Sequence, residues 1–146
     1  MHFELSEEHK AVQQAAREFA QNVLKPGVIE RDEHQKFPVE EIKQLAELGF
    51  MGMMVSPAYG GSGMDTLSYV LAMEEISKID ASTSVCMSVN NSLVTWGLEA
   101  FGTEEQKQKF LTPLANGEKI GAFCLSEPEA GSDATSQRTT AVDMGD

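Results

Sequence analysis

Cys124-Leu125-Ser126-Glu127-Pro128-Glu129-Ala130-Gly131-Ser132-Asp133-Ala134-Thr135-Ser136 is the stretch on which the reading of this 146-residue chain turns. It begins inside a short apolar run, Ile120-Gly121-Ala122-Phe123-Cys124-Leu125, which at that length suits a strand better than a helix. The run delivers one hydroxyl, Ser126, and then a turn rich in Pro, Gly, Ser and Asp. Gly131 lets the backbone come close to a ligand. Successive amides around Gly131 and Ser132 can form a nest for an anion such as a pyrophosphate. Composition alone favours a plainer reading, an interstrand loop in which Pro and Gly serve only the turn. Thr139-Thr140-Ala141-Val142 then resembles a second strand.

Upstream the pattern is helical. Ser6 followed by Glu7 and Glu8 reads as an N-cap with acids in the first turn. Val12, Ala15, Ala16, Phe19, Ala20 and Val23 recur at helical spacing as one apolar stripe, ended by Lys25-Pro26-Gly27. A short charged piece, Val28 to His34, follows. Pro38 opens the next helix, with Ile42, Leu45, Ala46 and Leu48 as its inner face and Gly49 as its stop. Ser56 to Gly63 is a loop; its glycines do not form GxGxxG and follow no convincing strand, so a dinucleotide fingerprint is rejected. Asp65 or Thr66 caps a helix bearing Leu67, Val70, Leu71, Met73, Ile76 and Ile79. Ser82 to Ala100 carries Val85, Met87, Val89, Leu93, Val94, Trp96 and Leu98 with Glu99 as its only charge, and predicts a central, largely buried helix. Thr103-Glu104-Glu105-Gln106 is a capping box for one more helix, with Phe110 and Leu111 inward. The reading is therefore mainly α: residues 1–118 form an N-terminal α-helical domain, and residues 119–146 form the first strands of a β-domain whose other strands are absent.

Composition narrows the function. Eleven basic against 23 acidic residues leave a formal charge of −12. Such a surface repels phosphate backbones and anionic membranes, so neither nucleic acid nor a membrane is an expected partner. No window reaches the roughly 18–20 apolar residues that cross a bilayer. The acidic N-terminus is no targeting signal, which suggests a cytoplasmic, bacterial setting, although a processed mitochondrial protein would look the same. Cys86 and Cys124 read as two buried thiols rather than a disulfide, and His2, His9 and His34 have no metal-ligand spacing. Glu74 and Glu75 adjoin on a helix and diverge by about 100°, so they read as a solvated or structural pair rather than one catalytic site.

The order of residues from Cys124 to Ser136 resembles the first signature of the acyl-CoA dehydrogenases at all thirteen positions. Pro57-Ala58-Tyr59-Gly60-Gly61-Ser62-Gly63-Met64-Asp65 is similar to a loop of that family. Met87-Ser88-Val89-Asn90-Asn91-Ser92-Leu93 and Lys119-Ile120-Gly121 resemble its short-chain, butyryl-CoA members. The likeness covers the whole chain but only the N-terminal part of a family enzyme. It implies FAD as cofactor. Phe123, Cys124, Leu125 and Ser126 would flank the flavin ring, with the Ser126 hydroxyl near N5, where a donor stabilises developing charge. Gly131 and Ser132 would approach the pyrophosphate, and Ser132 would also touch the acyl-CoA. The helix from Met87 to Thr95 would line the acyl cavity, although without the resemblance ordinary core packing is the preferred reading of Met87, Leu93 and Trp96. Glu129 departs from the Gly of many relatives, and Asp133 reads more simply as a cap for its loop than as a ligand.

The resemblance further implies oxidation of short-chain acyl-CoA thioesters to 2-enoyl-CoA, by abstraction of the α-proton and transfer of the β-hydride to flavin N5. Electrons would pass to electron-transfer flavoprotein, and the full-length protein would be a homotetramer. The base would be a Glu beyond residue 146, so no catalytic residue is assigned within the chain, and the chain alone is expected to be inactive and to bind FAD weakly or not at all. An acyl-CoA oxidase or nitroalkane-oxidase-like flavoenzyme, or a non-catalytic helical interaction module, is the alternative.

Overall fold

The computed structural model describes residues 4–145, and helices account for most of the chain before Gly117. Helix α1 (Glu7–Phe19) starts where Ser6 Oγ accepts the His9 amide at 3.1 Å. Its last turns widen into a π-helical turn, Ala20–Leu24. A 3-10 turn at Lys25–Gly27 leads to α2 (Val28–Glu33) and then to α3 (Val39–Glu47), which ends at Gly49 with φ +76°. Helix α4 (Thr66–Ser77) is capped by Asp65, whose Oδ1 accepts the Ser68 amide at 2.8 Å. Asp65 Oδ2 also meets His9 Nε2 at 2.9 Å, so one imidazole ties the starts of α1 and α4 together.

The second half contains two longer rods. The first is α5 (Ala81–Ser88), a π-helical segment Val89–Thr95, and α6 (Trp96–Phe101). The second is α7 (Glu104–Gln106), a π-helical turn Lys107–Leu111, and α8 (Thr112–Ala115). Among the described residues, no helix is long and apolar enough to cross a membrane.

Val12, Ala16, Phe19, Leu24, Ile42, Leu45, Met51, Met53, Ile76 and Met87 meet in one core. Each fully buried Leu, Ile or Met there stabilises by about 1.5–3 kcal/mol. Beside it, Arg17 Nε and Nη2 donate to both Glu75 oxygens at 3.1 and 3.0 Å, and Lys78 Nζ donates at 3.0 Å. Those donors hold the Glu75 carboxyl down at about 2. Glu75 is thus a structural acid joining α1 to α4, while Glu74 lies at the surface. Arg31 makes a comparable junction through Glu41, Asp80 and the Leu24 carbonyl.

Three expectations need correction. The Ala81–Phe101 rod buries a polar face: Thr83, Ser84, Asn90, Asn91 and Thr95 are covered with Met87, whereas Val85 (58% exposed), Leu93 and Trp96 (56%) face outward. The inversion is stable because the buried polar atoms have partners. Asn91 Oδ1 accepts the Met53 amide at 2.8 Å and its Nδ2 donates to the Phe50 and Met87 carbonyls, while Thr95 Oγ1 donates to the Asn91 carbonyl. Second, Ile120–Leu125 and Thr139–Val142 join no ladder; the pairing in this region is a single antiparallel bridge between Glu127 and Ala130. A strand needs a neighbour's amides and carbonyls, and among the described residues there is no further strand to supply them. Third, both thiols are free, but Cys124 is exposed and Cys86 only half-buried. Burial raises the Cys86 pKa, with Asp80 adding to the effect.

Candidate functional site

The segment after Glu118 is tied to the helices at its start. The Lys119 amide donates to the Pro113 carbonyl at 2.9 Å, and the Gly121 amide donates to Asn90 Oδ1 at 2.9 Å. Asn90 is fully buried, and its Nδ2 also donates to the Met51 (2.7 Å) and Leu114 (3.1 Å) carbonyls. One side chain therefore joins four segments. At Gly121 a Cβ would stand 2.8–3.0 Å from three atoms of Val94, so only glycine lets the backbone lie this close to the rod.

Beyond that anchor, Phe123 and Ala122 form one wall of a cleft of about 470 Å³. The open cleft is also lined by Leu93, Val94, Gly97 and Leu98 of the rod and by Phe101 and Phe110. Trp96 packs edge-on against Phe101 at 5.7 Å. Met87 is not there; it is core. Of the helix expected to line an acyl cavity, Leu93 and Val94 reach the cleft.

The chain then folds back on itself. The Glu127 amide donates to the Ala130 carbonyl at 3.0 Å and the Ala130 amide returns the bond at 3.1 Å, with the Ala130 side chain buried. This turn brings Ser126 and Gly131 to its two ends. Asp133 accepts from the Thr135 amide and from the Thr135 and Ser136 hydroxyls, which depress its carboxyl below the usual range. It is a cap for its own short helical turn. The Glu127 carboxylate is likewise engaged, taking the Arg138 amide at 2.6 Å and the Thr139 amide at 3.1 Å. These backbone donors lower its pKa.

Phe123, Cys124, Leu125, Ser126, Gly131 and Ser132 are all exposed on this one segment. Phe123 lines the cleft; the other five lie outside its lining. Among the described residues, the Gly131 and Ser132 amides have no acceptor, and a Cβ on Gly131 would meet nothing within 4 Å. Two residues escaped the reading from sequence. Asn90 was visible only as part of a short-chain resemblance, although two adjacent amides in an otherwise apolar helix signal a buried polar contact. Glu127 was visible only as the acid of the thirteen-residue resemblance, because its partners lie 11 and 12 positions away.

The sequence profile of the family described as acyl-CoA dehydrogenase, N-terminal domain, matches residues 6–118. The chain is 49% identical over all 146 residues to a short-chain-specific acyl-CoA dehydrogenase of Clostridium acetobutylicum, covering 38% of that protein. It is 44% identical over 142 residues, 97% of this chain and 38% of the relative, to the CarC subunit of the caffeyl-CoA reductase–Etf complex of Acetobacterium woodii. Among solved structures, a glutaryl-CoA dehydrogenase from Mycobacterium smegmatis in complex with FADH2 superposes with a TM-score of 0.87 at 35% identity, over 92% of this chain and 35% of that one. The chain thus spans 38% of the length of each of these two curated relatives.

Proposed function

The chain belongs to the acyl-CoA dehydrogenase family, and from that premise we propose that it supplies the N-terminal helical domain and the flavin-facing segment of an FAD-dependent dehydrogenase of short-chain acyl-CoA thioesters. The observation that carries this reading is the exposed run from Phe123 to Ser132, with an aromatic ring, a hydroxyl and two amides that have no partner among the described residues. Those groups suit FAD: Phe123 and Leu125 offer an apolar face to a planar ring, and Ser126 offers a donor to its edge. A Cβ on Gly131 would meet open space, and the Gly131 and Ser132 amides have no acceptor among the described residues, so this turn suits a diphosphate. Bound FAD supplies the two-electron acceptor for the β-hydrogen of the thioester.

The chain's own residues then have defined tasks. Ser126 would donate to the edge of a bound flavin, where a donor stabilises developing charge. Ser132 reaches the acyl-CoA beside the diphosphate. Leu93, Val94 and Gly97, which line the open cleft together with Phe123, would offer an apolar surface to a short acyl chain. Glu127 and Asp133 hold the loop's own donors and are not placed to act as the base. As the family resemblance implies, the base that abstracts the α-proton would be a Glu in the part of the family fold that this chain does not span. Electron-transfer flavoprotein is the proposed acceptor, supported by the name of the CarC relative.

A chimera tests the proposal: this chain replaces the matching 38% of the Clostridium acetobutylicum relative. The chimera is expected to reduce an electron-accepting dye with butyryl-CoA, whereas the 146-residue chain with added FAD does not. A folded chimera without turnover, or turnover by the chain alone, refutes it.

A further inference from the structure

We infer that Glu127 is the positioning residue of this site, setting the shape of the loop that presents Ser126, Gly131 and Ser132. The inference rests on the flavin reading only for what the loop holds; the clamp itself is geometric. Glu127 acts at two levels. Its backbone closes the turn with Ala130, which fixes Ser126 on one side and Gly131 on the other. Its carboxylate reaches across the loop, one oxygen at 2.6 Å from the Arg138 amide and the other at 3.1 Å from the Thr139 amide. Gln137 adds a parallel tie, its Nε2 donating to the Leu125 carbonyl at 2.7 Å. The incoming and outgoing arms are therefore stapled together at the residue that adjoins Ser126.

The chemistry also explains how the Glu127 carboxylate is tolerated beside amides that await an anion. An unengaged anion there would repel a diphosphate. With both oxygens committed to backbone amides, the Glu127 charge is turned toward the loop's own donors, and the Gly131 and Ser132 amides have no acceptor among the described residues.

Two variants separate position from charge. Glu127→Gln keeps the size but has one acceptor for two amides, with an NH2 facing the other. Glu127→Asp keeps the charge but falls one methylene short of spanning both amides. If Glu127 mattered only as a charge, Glu127→Gln would strengthen anion binding and Glu127→Asp would leave it unchanged. Positioning predicts that both weaken it, by about tenfold, as expected for one lost charge-assisted hydrogen bond.

The experiment is amide NMR on the 146-residue chain, with inorganic pyrophosphate titrated at constant ionic strength. In the wild type, pyrophosphate is expected to shift the Gly131 and Ser132 amides. In both variants the Ser126, Gly131, Ser132, Arg138 and Thr139 signals should move before any ligand is added, while the Ala16 and Ala72 methyls of the core stay in place. Loop signals that coincide with wild type in both variants overturn the inference, as does tighter pyrophosphate binding by Glu127→Gln. Loop signals that move as expected, in a wild type that never responds to pyrophosphate, uphold the clamp and overturn the anion reading of Gly131 and Ser132.

Discussion

Replacing Asn90 with alanine removes a fully buried side chain that makes three hydrogen bonds, to the Gly121 amide and to the Met51 and Leu114 carbonyls. Each such bond contributes about 1 kcal/mol net, and the abandoned backbone groups lose their only side-chain partner. The two carbonyls lie in a packed region, which also gains a small cavity, and the partly exposed Gly121 amide can recover a water molecule. Together these terms predict a loss of about 2–4 kcal/mol. Against a total stability of about 5–15 kcal/mol that is a large fraction. For a domain of this size it lowers the melting temperature by about 10 °C. Urea unfolding followed by far-UV circular dichroism gives the number. Amide hydrogen exchange gives the mechanism, because exchange at Gly121 should quicken sharply in Asn90→Ala. In Asn91→Ala it should not, since Asn91 bonds to Phe50, Met53 and Met87 instead. A loss below about 1 kcal/mol, or equal Gly121 exchange in the two variants, refutes the claim that Asn90 anchors the segment.

Two further predictions follow from the same geometry. Gly121→Ala drives a Cβ against Val94 and should cost about 1–3 kcal/mol, with Val94→Ala in the same chain recovering most of it; thermal melts of the single and double variants decide. Glu75, held at about 2 by Arg17 and Lys78, contributes stability that is fully present above its ordinary value near 4.5 and lost as the pH falls through about 2. The melting-temperature gap between wild type and Glu75→Gln should accordingly be constant from pH 7 to about 5 and narrow below about 4.5; a gap unchanged at pH 3 contradicts it.

The local signals in the sequence read well. Ser6, Asp65 and Thr103 cap the helices they were expected to cap, and Gly49 stops α3, because each depends on groups within three or four residues. The stripe on α1 likewise packs inward at Val12, Ala16, Phe19 and Ala20. What could not be read was set by distant partners. Apolar density from Ser82 to Ala100 suggested a buried hydrophobic helix. Yet Asn90 and Asn91 win the buried face because the turn at Phe50–Met53 and the Gly121 amide satisfy them. The displaced Val85, Leu93 and Trp96 form an outward apolar side that suits a ligand or another part of the fold. The Ile120–Leu125 run was read from its composition as a strand, but composition cannot provide the partner that a strand requires. Glu127 belongs to the signature-like stretch, but its contacts depend on amides 11 and 12 residues downstream and could not be read from it.

The central claim is that the exposed bend from Phe123 to Ser132 is a flavin wall. Its most direct test is the flavin content of the purified chimera, compared with the same chimera carrying Gly131→Val, which puts a branched side chain in the open approach to the Gly131 and Ser132 amides. One FAD per chain in the former and little or none in the latter is the predicted result. A well-folded chimera devoid of flavin, or equal flavin in both proteins, contradicts the account.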